Sequence, residues 1–183
     1  MLTFTVRLTR LRPPDVAKSQ FNGWVRAGLV EAAKYWIANY LPLHFQRGAE
    51  QRYNYAPRTR RTHAIKARAA QRGLIYSPKG GEVPYAGPPA PWVWTGDAKQ
   101  ALLGRSPDSF NIRPTATSNT QKVVVPLPIG HPINPRHKGE LTVVTRAERR
   151  KLTDIVLTTV KRLRFQNVLA KIENINANSA GAA

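Results

Sequence analysis

The stretch from Phe21 to Leu41 constrains the fold more than any other part of the sequence. Apolar residues recur there at three- to four-residue steps, which places them on one face of a helix. Trp24 and Trp36 lie within it, and a buried aromatic side chain removes a large apolar area from water. Pro42 should end the helix, because it lacks an N–H and disfavours helical geometry at the residue before it. We therefore predict a long core helix over this stretch.

A second long amphipathic helix is predicted in the last quarter of the sequence. Thr145 and Glu148 have the spacing of a capping box, in which a hydroxyl and a carboxylate satisfy orphan backbone amides reciprocally. After this start, the apolar residues again recur at helical spacing and leave a basic opposite face. The helix is expected to reach about residue 172.

Four short segments have the alternation or the β-branched content typical of strands. Residues 2–8 alternate apolar with polar side chains, which predicts a strand with one buried face. Residues 110–117 and 121–126 are predicted to form a hairpin, and residues 140–144 a short strand. Two long helices and about four strands indicate an α+β fold, with a mainly antiparallel sheet packed by the two helices.

Residues 46–94 differ in composition from the rest, and we predict that they form a long basic arm or inserted loop. Prolines and glycines interrupt their second half, and they contain few aliphatic side chains from which to build a core. Within the arm, a short helix is predicted from an N-cap at Thr62 to a stop at Gly73. We expect residues 1–172 to form a single domain that carries the arm, and residues 173–183 to form a flexible tail.

Positive charge is the strongest global signal in the sequence. Its 183 residues include 29 Lys and Arg against 10 Asp and Glu, a formal net charge of +19. Such an excess indicates contact with a polyanion, which is a nucleic acid, an anionic membrane or an acidic protein surface. Arginine outnumbers lysine, and its guanidinium grips phosphate and carboxylate bidentately.

The arm contains the best candidates for contact with a nucleic acid or an acidic partner. Residues 57–72 hold six cations and no acidic residue. These candidates are Arg58, Arg60, Arg61, Lys66, Arg68 and Arg72. Tyr53, Tyr55 and Tyr76 lie nearby, and aromatic rings beside cations suit a nucleic acid, whose exposed bases can stack on them. Since no motif that reads bases accompanies them, we expect any contact to follow the phosphate backbone without sequence preference.

No residue pattern indicates a catalytic or metal site. The sequence lacks cysteine, its carboxylates form no close pair in sequence, and its histidines lack the spacing of helical zinc motifs. Nucleophile-elbow, phosphate-loop and dinucleotide-binding motifs are also missing. We therefore expect a protein that is not an enzyme and uses no cofactor or metal. We also expect no membrane association, since no run approaches the roughly 20 apolar residues that cross a bilayer.

Parts of the sequence resemble the tail-completion (neck) family, the head-to-tail joining proteins of long-tailed bacteriophages. The resemblance lies in the first strand LTFTVRLTRL, in the helix AGLVEAAKYWIANYL and in the segment PWVW-TGDAKQALL. Pro91, Thr95 and Gly96 match the family's proline followed by a Thr/Ser-Gly turn. The resemblance covers about residues 1–45 and 91–170, and the family's usual spacer between these parts is much shorter.

The resemblance implies a non-enzymatic virion component that forms a homo-oligomeric ring around the DNA channel of the phage neck. Its neighbours would be connector proteins or tail-tube and terminator proteins, and assembly would take place in the host cytoplasm. Such a ring would accommodate basic arms that contact DNA non-specifically or reach neighbouring subunits.

The residues leave two other classes of function open. The first is a basic nucleic-acid-binding protein of a ribonucleoprotein, of the ribosomal type, whose arms thread through folded RNA. The second is a nuclease or another enzyme whose site assembles only in the fold.

Overall fold

Helices account for more of the protein than strands do in the computed structural model. The structure describes residues 2–7, 16–46, 48–55, 59–76, 81–84, 102–117, 120–127 and 139–180. The α-helices bounded within these residues are α1 (Lys18–Asn39), α2 (Ala49–Tyr53), α3 (Arg60–Arg72) and α4 (Arg146–Ala180). The strands are β1 (Leu2–Arg7), β2 (Leu74–Tyr76), β3 (Glu82–Pro84), β4 (Arg113–Thr117) and β5 (Thr120–Val125).

The strands form a three-stranded antiparallel sheet and a separate small hairpin. In the sheet, β5 lies between β1 and β4, and the β4–β5 hairpin pairs Arg113 with Val124 and Thr117 with Thr120. The second hairpin pairs β2 with β3, with Ile75 opposite Val83. The α+β class and the hairpin near residue 118 are confirmed, but the predicted four-stranded sheet is a sheet of three.

The strand predicted at residues 140–144 is wrong, because these residues begin with a 3₁₀ turn over Glu140–Thr142. Local hydrogen bonds replace a strand ladder there. The backbone N–H and the Oγ1 hydroxyl of Thr142 both donate to the carbonyl of Gly139, at 3.0 and 2.7 Å. Short i→i+3 bonds of this kind satisfy the backbone without a partner strand.

Helix α1 confirms the core helix that the apolar spacing predicts. Its side chains from Phe21 through Leu29 to Trp36 are buried on one face, as the three- and four-residue steps require. After Tyr40 the chain tightens into a 3₁₀ turn, Leu41–Phe45, with Pro42 in its first turn. Proline is tolerated at that position, since the first N–H groups of a helix have no intrahelical partner.

The structure divides into two compact units, each built from separate stretches of chain. Unit 1 comprises residues 1–2, 34–111 and 125–149, and unit 2 comprises residues 3–33, 112–124 and 150–183. Helices α1 and α4 therefore each contribute residues to both units. The single domain over residues 1–172 and the flexible tail over residues 173–183 stay predictions, although α4 itself runs to Ala180.

In unit 2, α1 and α4 approach each other closely. A Cβ on Gly28 would lie 3.0 Å from the carbonyl oxygen of Val156, so this position has no room for a larger side chain without displacement. One turn further along α1, the carboxylate of Glu31 accepts hydrogen bonds from Thr159 Oγ1 and Arg162 Nη2, each at 2.6 Å. A close backbone contact and a charged pair thus join the two helices.

The predicted arm contains more regular structure than its composition indicates. Helices α2 and α3 and the β2–β3 hairpin all lie within residues 46–94. Helix α3 starts earlier than predicted, because Thr59 rather than Thr62 is its N-cap and accepts a 3.2 Å hydrogen bond from the Thr62 N–H. Its end is confirmed at Gly73, whose φ of +68° is the left-handed conformation that glycine adopts readily.

Candidate functional site

The capping box at the start of α4 is confirmed. The Thr145 N–H donates to Glu148 Oε2 at 3.0 Å, and the Glu148 N–H donates to Thr145 Oγ1 at 3.2 Å. Most capping-box glutamates can stay in solvent, but the side chain of Glu148 is only 1% exposed. A buried carboxylate needs partners for its remaining lone pairs, since an unpaired buried charge is strongly unfavourable.

The second oxygen of Glu148 obtains these partners from α2. Glu148 Oε1 accepts hydrogen bonds from Tyr53 Oη at 2.9 Å, from Arg52 Nη2 at 3.0 Å and from Arg52 Nε at 3.3 Å. The Arg52 side chain is about half exposed, whereas the tyrosine is buried. Burial, and then the bond to the carboxylate, raises the pKa of Tyr53 and keeps its hydroxyl protonated as a donor.

His44 lies in the 3₁₀ turn after α1 and packs against Tyr53 and Tyr55. Its ring stacks on Tyr53 with centroids 3.8 Å apart, and its Nδ1 forms a hydrogen bond with the Tyr55 hydroxyl. Trp36 also lies near the imidazole, with the two ring centroids 5.8 Å apart. Burial lowers the pKa of His44 to about 4, so the ring is neutral near pH 7.

We call Arg52, Tyr53, Glu148, His44 and Tyr55 the Glu148 network. General acid–base catalysis requires a side chain to reach a substrate proton, either directly or through one water. His44 is fully buried and Glu148 nearly so, which puts both groups out of reach of a substrate in this conformation. The arrangement instead holds the 3₁₀ turn, α2 and the start of α4 together within unit 1.

The expectation that Tyr53 and Tyr55 stack on nucleic-acid bases is wrong. Both side chains are buried and pack with Ala49, Leu43 and Val143 in a small apolar cluster. The sequence suggested exposed tyrosines because cations flank both of them. No local pattern shows that a carboxylate distant in the sequence pairs with one of these cations. The side chain of Tyr76 lies outside the part of the chain that the structure describes.

Helix α3 places four of the six candidate cations on the surface. At 100° per residue, Arg61, Arg68 and Arg72 fall within an arc of about 40°, and Arg60 lies about 80° from the nearest of them, on the same side of the helix. All four are exposed. We call these four residues the α3 arginine face, and the helical rise spreads them over roughly 18 Å.

Lys66 does not join that face. It is only 5% exposed and, with Ala69, lies on the buried side of α3. Long basic side chains can cover apolar surface with their methylene stems, which accounts for burial of this kind. Among the described candidates, the four arginines of the α3 arginine face are exposed and Lys66 is buried, while Arg58 lies outside the described residues and stays a prediction.

The first turn of α3 carries charge of the less favourable sign. Arg60 and Arg61 lie there without an acidic residue, whereas helix N-termini are stabilised by negative charge. Arg72, in the last turn, has the favourable sign. An anion bound beside Arg60 and Arg61 would offset the unfavourable end, because helix N-termini attract phosphate and carboxylate groups.

Within the described ranges, no group of three or more His, Asp or Glu side chains is arranged to hold a metal ion. No helix in those ranges is both long enough and apolar enough to cross a bilayer. Comparison with known proteins finds no protein-family model, no curated protein and no solved structure that matches the chain.

Proposed function

We propose that this protein is a structural virion component of a tailed phage, a tail-completion or connector protein that forms a homo-oligomeric ring in the neck. In this role the α3 arginine face contacts DNA, or an acidic neighbouring protein, through charge. The proposal combines the resemblance of residues 1–45 and 91–170 to the neck family with the geometry of α3. The role requires no catalysis.

The observation that carries the DNA contact is the exposure of four arginines on one side of α3. An arginine row without acidic residues can neutralise several phosphates, and each neutralised phosphate releases counterions. Contacts from these arginines to phosphates carry no sequence information, so we expect a contact that is independent of sequence. A protein that lets DNA of any sequence pass needs this kind of contact.

The DNA contact is tested by fluorescence anisotropy with two labelled duplexes of unrelated sequence over a salt series. Both should bind with similar affinity, and binding should weaken steeply as salt rises. Replacing Arg61, Arg68 and Arg72 with alanine should reduce the salt slope by up to about 3, since roughly 0.9 counterions are released per phosphate neutralised.

A matched control separates the α3 arginine face from net charge. Arg26, Arg105 and Arg113 are also exposed, and their replacement with alanine removes the same charge elsewhere. This control should change the slope much less than the α3 variant does. Equal effects of the two variants, or sequence-selective binding that persists at high salt, would contradict a contact through α3.

The ring itself is tested by electron microscopy and analytical ultracentrifugation of the purified protein, alone and with phage head or tail particles. Closed rings, or density at the head–tail junction, would support the neck role. Co-purification of RNA would instead favour a ribonucleoprotein role, and divalent-metal-dependent cleavage of DNA would favour a nuclease.

A further inference from the structure

Helix α4 exposes apolar side chains, from Leu157 onward, that the DNA contact does not use. Phe165 is 64% exposed, and Leu157, Val168 and Leu169 are each more than two-fifths exposed. From Lys161 to Lys171 none of the helix residues is buried. An exposed helix obtains little stability from propensity alone, and most protein helices are stabilised by packing an apolar face.

These four residues share one side of the helix. At 100° per residue, Leu157, Val168, Phe165 and Leu169 lie within an arc of about 120°. Buried Leu152 and Val156 lie on the opposite side. We call the four exposed residues the α4 stripe, and its spacing in the sequence continues to the isoleucines at positions 172 and 175.

Positive charge surrounds the α4 stripe. Lys161 falls inside the arc, Arg164 and Lys171 fall along one edge, and Arg162 falls along the other. No Asp or Glu occurs between residues 155 and 172. Arg162 already pairs with Glu31 at 2.6 Å. The charge offered to a partner is therefore assigned to Lys161 inside the arc and to Lys171 along the edge.

We propose that the α4 stripe binds an acidic amphipathic helix of another protein. Apolar side chains of that helix would cover Phe165, Val168 and Leu169, in the manner of helix-to-helix recognition through residues at three- and four-residue steps. Its carboxylates would pair with Lys161 and Lys171. This interaction lies beyond the proposed DNA contact and uses a different helix.

Charge makes a second copy of the chain a less favourable occupant than an acidic helix. Parallel, in-register pairing of two α4 helices would place Lys161 against Lys161, and antiparallel pairing about Phe165 would place Lys161 against the apolar Leu169. Like charges directly opposite each other destabilise a pair of helices. An acidic partner turns the same positions into attractive pairs.

Lys161 also argues against a membrane or a nucleic acid. A helix that lies on a bilayer buries its apolar face in the acyl boundary, and a cation in the middle of that face would be buried with it. Duplex DNA would contact the cations through its phosphates and leave the apolar Val168 and Leu169 uncovered. A protein helix can satisfy the cation and the apolar residues together.

The test uses the full-length protein and a synthetic helical peptide, roughly four heptads long, with leucine at the core positions and glutamate beside them. Binding is measured by fluorescence anisotropy of the labelled peptide. We expect saturable binding. An acidic peptide of the same composition, scrambled so that no apolar stripe forms, controls for attraction to the net charge and should bind at least tenfold more weakly.

Two variants locate the binding surface. The double variant Phe165→Ser and Leu169→Ser should weaken peptide binding at least tenfold, while circular dichroism shows an unchanged fold. Leu74→Ser removes an exposed apolar side chain from β2 and should leave binding unchanged. Lys161→Glu should weaken binding of the glutamate peptide and strengthen binding of a version with lysine in place of glutamate.

Three results would overturn the proposal. They are equal binding of the scrambled peptide, self-association of the wild-type protein that the serine variant abolishes, and phosphatidylserine-vesicle binding that depends on the α4 stripe without peptide binding. The DNA titration is read separately. The serine variant should keep the wild-type salt slope, so failure of one proposal is distinguishable from failure of the other.

Discussion

Two neighbouring basic stretches of unit 1 end up in opposite surroundings. In the first, from Arg52 to Tyr55, the tyrosines are buried and the arginine is tied to Glu148. In the second, α3, the arginines of one face are exposed to solvent. Both stretches lie within residues 46–79, which hold nine Lys or Arg and a single acidic residue, so the charge of the segment alone does not separate them.

The difference comes from a carboxylate 96 residues away in the sequence. Glu148 Oε2 already accepts the Thr145 N–H in the capping box of α4. Its second oxygen, Oε1, is therefore held within hydrogen-bond distance of α2. One carboxylate thus fixes a tyrosine hydroxyl and a guanidinium, and the tyrosine ring is buried against His44. Where a buried carboxylate binds a cation-rich segment, that segment is held as part of the folded framework. Where no such carboxylate binds it, its cations stay exposed and can contact a partner.

The largest expected effect is at Trp36, whose ring lies beside that of His44. Trp36→Ala should lower the free energy of unfolding by roughly 3–5 kcal/mol, because it removes a fully buried aromatic and leaves a cavity. Arg60→Ala should change it by no more than about 0.5 kcal/mol, as expected at an exposed position. Urea titrations measure both changes in the free energy of unfolding. A larger loss for Arg60→Ala than for Trp36→Ala would contradict the contrast between a buried aromatic cluster and an exposed arginine face.

Glu148→Ala should destabilise the protein by about 3 kcal/mol. It leaves the buried Tyr53 hydroxyl and the Thr145 N–H without their acceptor, and removing one partner of a buried pair is strongly destabilising. Because Arg52 is half exposed, water can solvate its guanidinium once Glu148 is removed, and this limits the loss of stability. Asp154→Ala removes an exposed acid from the same helix and should change stability by no more than about 0.5 kcal/mol, and thermal melts of both variants measure the difference.

The neutral state of His44 should make stability depend on pH. The unfolded chain takes up a proton near pH 6.5, but the folded protein does so only near pH 4, so acid favours unfolding between these values. Stability should be complete above about pH 6.5 and fall by up to about 3 kcal/mol by pH 4.

Denaturant titrations at several pH values measure this loss. His44→Gln should flatten the profile across that window, whereas His63→Gln, at an exposed position on α3, should leave the slope of the wild-type protein. A profile that keeps its slope in the His44 variant would show that another group takes up the proton.

The smallest of these effects concerns the cap of α4. Thr145→Ala removes the acceptor of the Glu148 N–H and should lower stability by about 1 kcal/mol, whereas Thr145→Ser should retain most of it. Thr158→Ala, at an exposed position inside the same helix, is the matched control. Equal melting temperatures for the alanine variant at 145 and the wild-type protein would show that the cap contributes nothing.

Sequence alone determined the elements whose causes are local. The apolar spacing of α1, the capping box at Thr145, the glycine that ends α3 and the hairpin near residue 118 all depend on residues within a few positions of one another. The periodicity of side chains, the unpaired amides at a helix start and the left-handed conformation of glycine all act within one or two helical turns. Their effects can therefore be predicted without knowledge of the tertiary structure. The same reasoning failed at residues 140–144, where short-range hydrogen bonds competed with the strand pattern.

Tertiary structure alone decided which polar residues are framework and which are surface. His44, Arg52, Tyr53 and Tyr55 carry no local signal of burial, because the carboxylate that completes their network comes from another helix. Lys66 and the arginines of α3 are equally basic in sequence, and only the packing of α3 buries the first and exposes the others. Burial depends on what lies across a contact, and a contact between distant residues exists only once the chain has folded.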